Sequence, residues 1–276
     1  MKNKFKYKKI LYISIYTFLI ILIVLSTIYI FKDFLARKEI AEENNLLNKI
    51  NINETQVEVS EINNSQSELA ANEQQSIETE PQETERMLQV KALQEENSDI
   101  VGWLEIENTS INYPVLQGTD NEYYMTHNYK KKKSKNGSIF LNKDYDWNIP
   151  SNNLLIYGHN LNNGTMFQEL LKYSDESFYI NHPTIRFTTE KEDSEFEIIS
   201  VFKSKVYYQS EKNVFRYYYF INPKTEEEYN EFVNNAKKAS LYNIDSTAKY
   251  GDQLITLSTC SYHVKDGRFA VVARKK

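Results

Sequence analysis

The 276-residue sequence has a single cysteine, Cys260, so no internal disulfide can form. Its four histidines, His127, His159, His182 and His263, are scattered without ligand-like spacing, so no metal is expected, and no organic cofactor either. Residues 10–31 contain no charge, and residues 39–85 contain no aromatic side chain. From residue 84 onward the chain is nearly neutral and lacks a basic stripe, which removes any support for nucleic-acid binding.

What is present divides the chain into four parts. Residues 1–9 hold five lysines. The uncharged run 10–31 consists of Ile, Leu, Val, Phe, Tyr, Ser and Thr, and about 20 apolar residues cross a bilayer as helix. Lysines before the span predict a cytoplasmic N-terminus and place everything after Lys32 outside the cell. A cleaved signal peptide would have a shorter apolar region and a small-x-small site, and no good site of that kind appears between Thr27 and Ala36. Residues 32–83 read as an acidic stalk. From Glu39 to Glu85 there are twelve glutamates against one lysine, Lys49. Such a stretch cannot bury enough apolar surface to offset its chain entropy. Ile40, Leu46, Leu47 and Ile50 could support a short helix within it. Residues 84–276 have the length of one domain.

Within that domain, residues 85–97 show helical spacing after a candidate N-cap, Thr84. Strand-like runs follow at 100–106, 111–117 (bent at Pro114), 137–141, 153–157, 177–180, 184–189, 195–208, 252–259 and 269–274. Short helices are predicted at 120–128 and 166–173. A longer one at 225–239 places Tyr229, Phe232, Val233 and Ala236 on one face, with Glu226 to Glu228 in its first turn. Residues 130–135 form a basic loop. Many short strands with few helices predict a mainly β fold, a closed or nearly closed barrel with helical insertions. Asp266-Gly267 marks a turn between the last two strands.

The chemistry gathers around strand ends. Cys260 closes one strand and Arg268 opens the next, so antiparallel pairing brings both to one end of the sheet. His159 also lies just past a strand end, after Gly158. One thiol, one imidazole and one guanidinium suffice for acyl transfer: a nucleophile, a proton carrier and a cation for the oxyanion. A lone thiol outside the membrane is a poor structural element and a sensible reagent. His263, three residues from Cys260, is the competing base.

The runs Thr256-Leu257-Ser258-Thr259-Cys260, Gly267-Arg268-Phe269 and Tyr157-Gly158-His159-Asn160 resemble the sortases of Gram-positive bacteria, most closely class B. Gly102-Trp103-Leu104, Tyr113-Pro114-Val115 and Gly137-Ser138-Ile139-Phe140 carry the same resemblance, as does the long helix before the cysteine-bearing strand. It covers nearly all of residues 84–276. The resemblance implies an eight-stranded sortase barrel with an N-terminal helix. It implies Cys260 as nucleophile, His159 as general acid and base, and Arg268 as cationic stabiliser. Tyr157 and Ser258 match positions near the substrate groove, and Tyr218 matches a groove tyrosine within the ambiguous run Tyr217-Tyr218-Tyr219. The implied reaction cleaves a C-terminal sorting signal, Asn-Pro-x-Thr followed by Asn, Gly or Ser, after the threonine. The acyl group then passes to a peptidoglycan precursor or cross-bridge amine. Secreted proteins bearing such signals are the implied partners, and the cell membrane is the implied location.

Other readings stay open at this level. A pilin-polymerising sortase would share fold and catalytic residues and use a lysine acceptor. A membrane-tethered adhesion module would need no thiol. Papain-like proteases place cysteine before histidine, the reverse of this chain. L,D-transpeptidases usually have glycine directly before the cysteine, where this chain has Thr259.

Overall fold

A computed structural model describes residues 12–35, 37–38, 83–149 and 153–276. The basic segment 1–9, nearly all of the stalk and the short helix suggested around residues 40–50 lie outside the described residues. The chain divides into two compact units, Met1–Leu46 and Leu47–Lys276.

The first unit contains helix α1, Tyr12–Leu35, 24 residues long and apolar enough to cross a membrane. At 1.5 Å per residue it is about 36 Å long, somewhat more than a hydrocarbon core of about 30 Å. The hydroxyls of Thr17 and Thr27 donate to the carbonyls of Ser14 and Val24, at 2.9 and 2.8 Å, so they add no unsatisfied polar group. The helix runs past residue 31, where the apolar run stops. It carries on through Lys32 and Asp33, and Asp33 pairs with Arg37 one turn later at 3.0 Å.

The second unit is a closed barrel of eight strands: β1 Ile100–Glu105, β2 Asn112–Leu116, β3 Ile139–Leu141, β4 Asn153–Tyr157, β5 Thr184–Thr188, β6 Asp193–Lys205, β7 Leu254–Cys260 and β8 Gly267–Lys275. Their order around the barrel is β1-β2-β3-β4-β7-β8-β6-β5. The β2–β3 and β4–β7 pairs are parallel and the others antiparallel. Pro114 sits opposite Trp103 within the β1–β2 ladder, and the irregularity falls on β1 between Ile100 and Gly102.

Helix α2, Glu85–Glu96, begins where Thr84 accepts a hydrogen bond from the Met87 amide. It buries Met87, Val90 and Leu93, two of which join Ile100, Trp103, Leu116, Tyr124 and Phe140 in one apolar cluster. Each such side chain contributes about 1.5–3 kcal/mol on burial. Three local expectations change downstream. Residues 177–180 form no strand. Helix α3, Glu176–Asn181, occupies them because Asp175 caps its first turn, accepting from the Ser177 amide at 2.9 Å. Phe178, a good strand former, is used there by packing edge-on against Tyr173 and stacking on His182. The helices expected at 120–128 and 166–173 shrink to 3-10 turns, Tyr123–Met125 and Glu169–Ser174. The final cations are also ion-paired rather than simply solvated: Arg274, Lys275 and Lys276 reach Glu197, Glu192 and Glu195.

Helix α4, Glu226–Ala239, starts at the Thr225 cap and lies against β6 on Tyr229, Phe232, Val233 and Ala236. It is inserted before the cysteine-bearing strand, as the resemblance implies.

Candidate active site

Three adjacent strands bring the reactive groups together. In the parallel β4–β7 pair Tyr157 stands opposite Ser258, so His159 and Cys260 each lie two residues further along neighbouring strands. In the antiparallel β7–β8 pair Cys260 stands opposite Arg268. Backbone register alone therefore delivers thiol, imidazole and guanidinium to one barrel end.

Two glycines permit this close fit. A Cβ on Gly158 would lie 2.7 Å from the Phe167 ring and 2.5 Å from Ile139. A Cβ on Gly267 would lie 2.1 Å from the Ser261 carbonyl oxygen. Gly267 itself has strand geometry. The left-handed residue of the β7–β8 turn is Asp266, at φ 55°. The Asp266-Gly267 signal thus marks the turn, while its glycine serves close approach instead of backbone freedom.

Side chains then tie the pieces. The Thr259 hydroxyl donates to the Gly158 carbonyl at 2.7 Å. The Asn160 carboxamide donates to the Cys260 carbonyl at 3.0 Å. His159 Nε2 lies 2.7 Å from the Met125 carbonyl oxygen. A carbonyl only accepts, so Nε2 carries the hydrogen and Nδ1 is the basic nitrogen of the neutral ring. Arg268 Nη1 donates to the Gly267 carbonyl at 3.0 Å. Among the described residues no carboxylate pairs with this guanidinium.

The resulting cavity has a volume of about 170 Å³. His159, Cys260, Arg268, Tyr157 and Ser258 all line it, together with Asn121, Met125 and Phe140. Larger hollows of about 710 Å³ and 360 Å³ lie beside residues 247–253 and against α4. They hold neither the thiol nor an imidazole, so chemistry rather than size marks the site.

Tyr157 is pushed upward in pKa by burial, against the opposing pull of Asn142 and Arg268, and stays a phenol. Its hydroxyl accepts from the Asn142 carboxamide at 3.1 Å. Ser258 is fully buried, its hydroxyl 2.7 Å from that of Tyr217. Tyr217, pushed upward by burial, backs the cavity through that bond. Tyr218 does not line the cavity. Its hydroxyl accepts from the Tyr207 amide at 2.9 Å, and its ring packs edge-on against Tyr217. His263 also lies off the cavity, exposed, with Nδ1 2.9 Å from the Ser261 hydroxyl. Slight desolvation and nearby Lys203 lower its pKa.

Several residues in and beside the cavity escape reading from sequence. Phe140, which lines it, and Asn160, which holds the Cys260 carbonyl, belong to motifs already noted, but their contacts depend on strands distant in the chain. Met125 contributes a backbone carbonyl, for which no side-chain signal exists.

The sortase domain family matches residues 104–276. Sortase B of Listeria monocytogenes is 37% identical over 176 residues, covering 62% of this chain and 67% of that protein. The crystal structure of sortase B from B. anthracis in complex with AAEK1 aligns at TM-score 0.59 and 36% identity, over 68% of this chain and 83% of that one. A Staphylococcus aureus sortase B–substrate complex aligns at TM-score 0.61 and 30% identity, over 69% and 85%. With its eight-stranded barrel and its thiol, imidazole and guanidinium at one barrel end, the chain belongs to the sortase family of cysteine transpeptidases, and its similarity runs to sortase B.

Proposed function

We propose that this chain cleaves a C-terminal sorting signal after a threonine and transfers the protein to a cell-wall amine. The observation that carries this reading is the register that sets Cys260 opposite Arg268 while His159 is pinned by the Met125 carbonyl. The Cys260 thiolate attacks the threonine carbonyl, forming a C–S bond and an oxyanion. Arg268 donates to that oxyanion or holds the peptide backbone. The C–N bond then breaks, and His159, as imidazolium, gives its Nδ1 proton to the departing amine. The product is a thioester on Cys260. An incoming amine attacks the thioester, His159 takes the amine proton at Nδ1, and the thiolate departs as the new amide forms.

Tyr157 and Ser258 form part of the groove wall, and Tyr217 holds Ser258 in place. Tyr218 acts as a groove residue only if the 217–219 turn shifts toward bound peptide. Solved relatives include sortase B with a substrate and sortase B with triglycine. These support a sorting-signal donor and an amine acceptor; we take the donor as an Asn-Pro-x-Thr type and the acceptor as a peptidoglycan cross-bridge or precursor amine. Residues 10–31 anchor the chain in the cell membrane, N-terminus inside, with 32–83 as stalk and 84–276 as the extracellular catalytic domain.

The test uses quenched peptides of the form x-Pro-x-Thr-x, with mass spectrometry for a thioester on Cys260. Cleavage after threonine with an adduct on Cys260 is expected, and Cys260→Ala, His159→Ala and Arg268→Ala should each lose both. A folded protein whose thiol stays inert to peptides and to a small alkylating agent would refute the reading.

A further inference from the structure

Two loops that this reaction leaves unused adjoin cavity residues, one running on from Cys260 to Arg268 and the other following Met125. The first is the β7–β8 connection, residues 261–266, immediately beyond Cys260. It holds Tyr262 78% exposed, with Val264 exposed beside it. The chain leaving β6 is joined to this tip, since the Val206 amide donates to the Asp266 carbonyl at 2.9 Å. Val206 and Tyr208 are exposed as well. Four apolar or aromatic side chains thus stand in water on these two joined segments.

The second is the segment following Met125, which carries lysines at 130, 131, 132, 133 and 135. It is a built loop. The Asn128 side-chain oxygen accepts from the amides of Lys130 and Lys132 at 3.1 and 3.0 Å. Asn97 holds the Tyr129 carbonyl at 2.6 Å, and Lys133 bridges to His127. Lys131 adopts φ 58°, uncommon for a side chain of its kind, and pairs with Asp99. Lys132, Lys133 and Lys135 are exposed and make no ion pair among the described residues. At the tip Lys265 is likewise unpaired among the described residues, beside Asp266. Glu211 is already taken by Lys205.

We propose that these two loops face the same way and form one membrane-facing surface. Tyr262, Val264, Val206 and Tyr208 enter the interfacial zone of a bilayer, and Lys132, Lys133, Lys135 and Lys265 lie against its anionic headgroups. Tyrosine suits that zone because its ring is apolar and its hydroxyl stays wet. Lysine stems cover apolar surface while the ammonium reaches the headgroups. A soluble polyanion would use the lysines and have no use for Tyr262 and Val264. The inference rests on the proposal that α1 spans a membrane, which keeps the domain within tether's reach of a bilayer and raises its effective concentration there. Cys260 would then work at the lipid surface.

The test uses the full chain in lipid nanodiscs with brominated acyl chains, either zwitterionic or containing anionic lipid. Tyr262→Trp in a Trp147→Phe background reports insertion, and Trp103, buried beneath α2, serves as the constant reference. In anionic discs the reporter's emission should fall at least about twofold. Combined Lys132→Glu, Lys133→Glu and Lys135→Glu should restore it, with membrane occupancy weakening roughly fivefold for each lysine lost. Unchanged melting temperatures show that the variants are folded. An unquenched reporter on a chain that co-migrates with anionic discs overturns the proposal. An unquenched reporter together with lysine-dependent retention on soluble polyphosphate assigns the loop to a polyanion and also overturns it. A chain that fails to enter the discs at all defeats the membrane-span reading and this inference with it.

Discussion

The two walls of the catalytic cavity are built by different means. The wall holding Cys260, Arg268, Tyr157 and Ser258 is strand, set by backbone ladders whose register admits one arrangement. The wall holding Asn121 and Met125 is loop, set by individual side chains. Asp120 accepts from the amides of Glu122 and Tyr123, and Asn121 accepts from the Lys143 amide at 2.8 Å. A one-residue slip on the strand side would turn every side chain to the opposite face. On the loop side, one lost hydrogen bond moves the wall by less. Reactive atoms thus sit on the rigid wall, and the loop wall orients the imidazole through a single carbonyl.

Changes to the strand wall should have the largest effects. Arg268→Lys keeps the charge but loses the planar fork of donors, and should lower kcat/KM on a cleavable peptide by about a hundredfold. A loss under threefold would show that charge alone suffices there. Gly267→Ala places a methyl against the Ser261 carbonyl and should destabilise the barrel by about 1–3 kcal/mol, read by denaturant melts. If stability holds, the β7–β8 turn is softer than its geometry indicates.

Asn160→Ala removes a tie between the chain leaving β4 and the end of β7 while leaving every ladder intact. Activity should fall about tenfold, with stability lowered by about 1 kcal/mol, the worth of one hydrogen bond. The same loss of stability with unchanged kcat/KM would make Asn160 structural.

The smallest effect is expected far from the cavity, at Asp193. This carboxylate accepts from Arg186, Thr188 and the cap residue Thr84, and its pKa is depressed chiefly by Arg186. A depressed folded-state pKa means the stabilisation is present above the unfolded pKa and is lost as pH falls through the folded one. Asp193→Asn should cost about 1 kcal/mol at neutral pH and nothing once the wild-type carboxyl is protonated. Melting curves of both proteins across the acid range would show convergence, and parallel curves would exclude this role.

Much of the strand wall was legible from the chain. Cys260 at one strand end and Arg268 at the start of the next predict antiparallel partners, and Cys260 indeed faces Arg268. Apolar periodicity located α2 and α4, because burial of one face leaves a mark on sequence, while an uncharged apolar run located α1. Composition alone separated an uncharged apolar run from an acidic, aromatic-free stretch and from a nearly neutral, domain-length remainder. Residues 177–180 misread because a four-residue β-type run carries less weight than the Asp175 cap before it.

The tertiary structure decided what depends on backbone and on distant partners. Met125 acts through a carbonyl that every residue possesses, so its role in orienting His159 leaves no trace in residue type. Tyr217 rather than Tyr218 meets Ser258, a choice that three consecutive tyrosines cannot express until the 3-10 turn sets which ring points inward. Gly267 reads as a turn glycine and serves as a close-packing one, because only the folded hairpin brings the Ser261 carbonyl to it. Local pattern determines which faces are buried and where strands end, while contacts across the barrel determine which neighbours those faces meet.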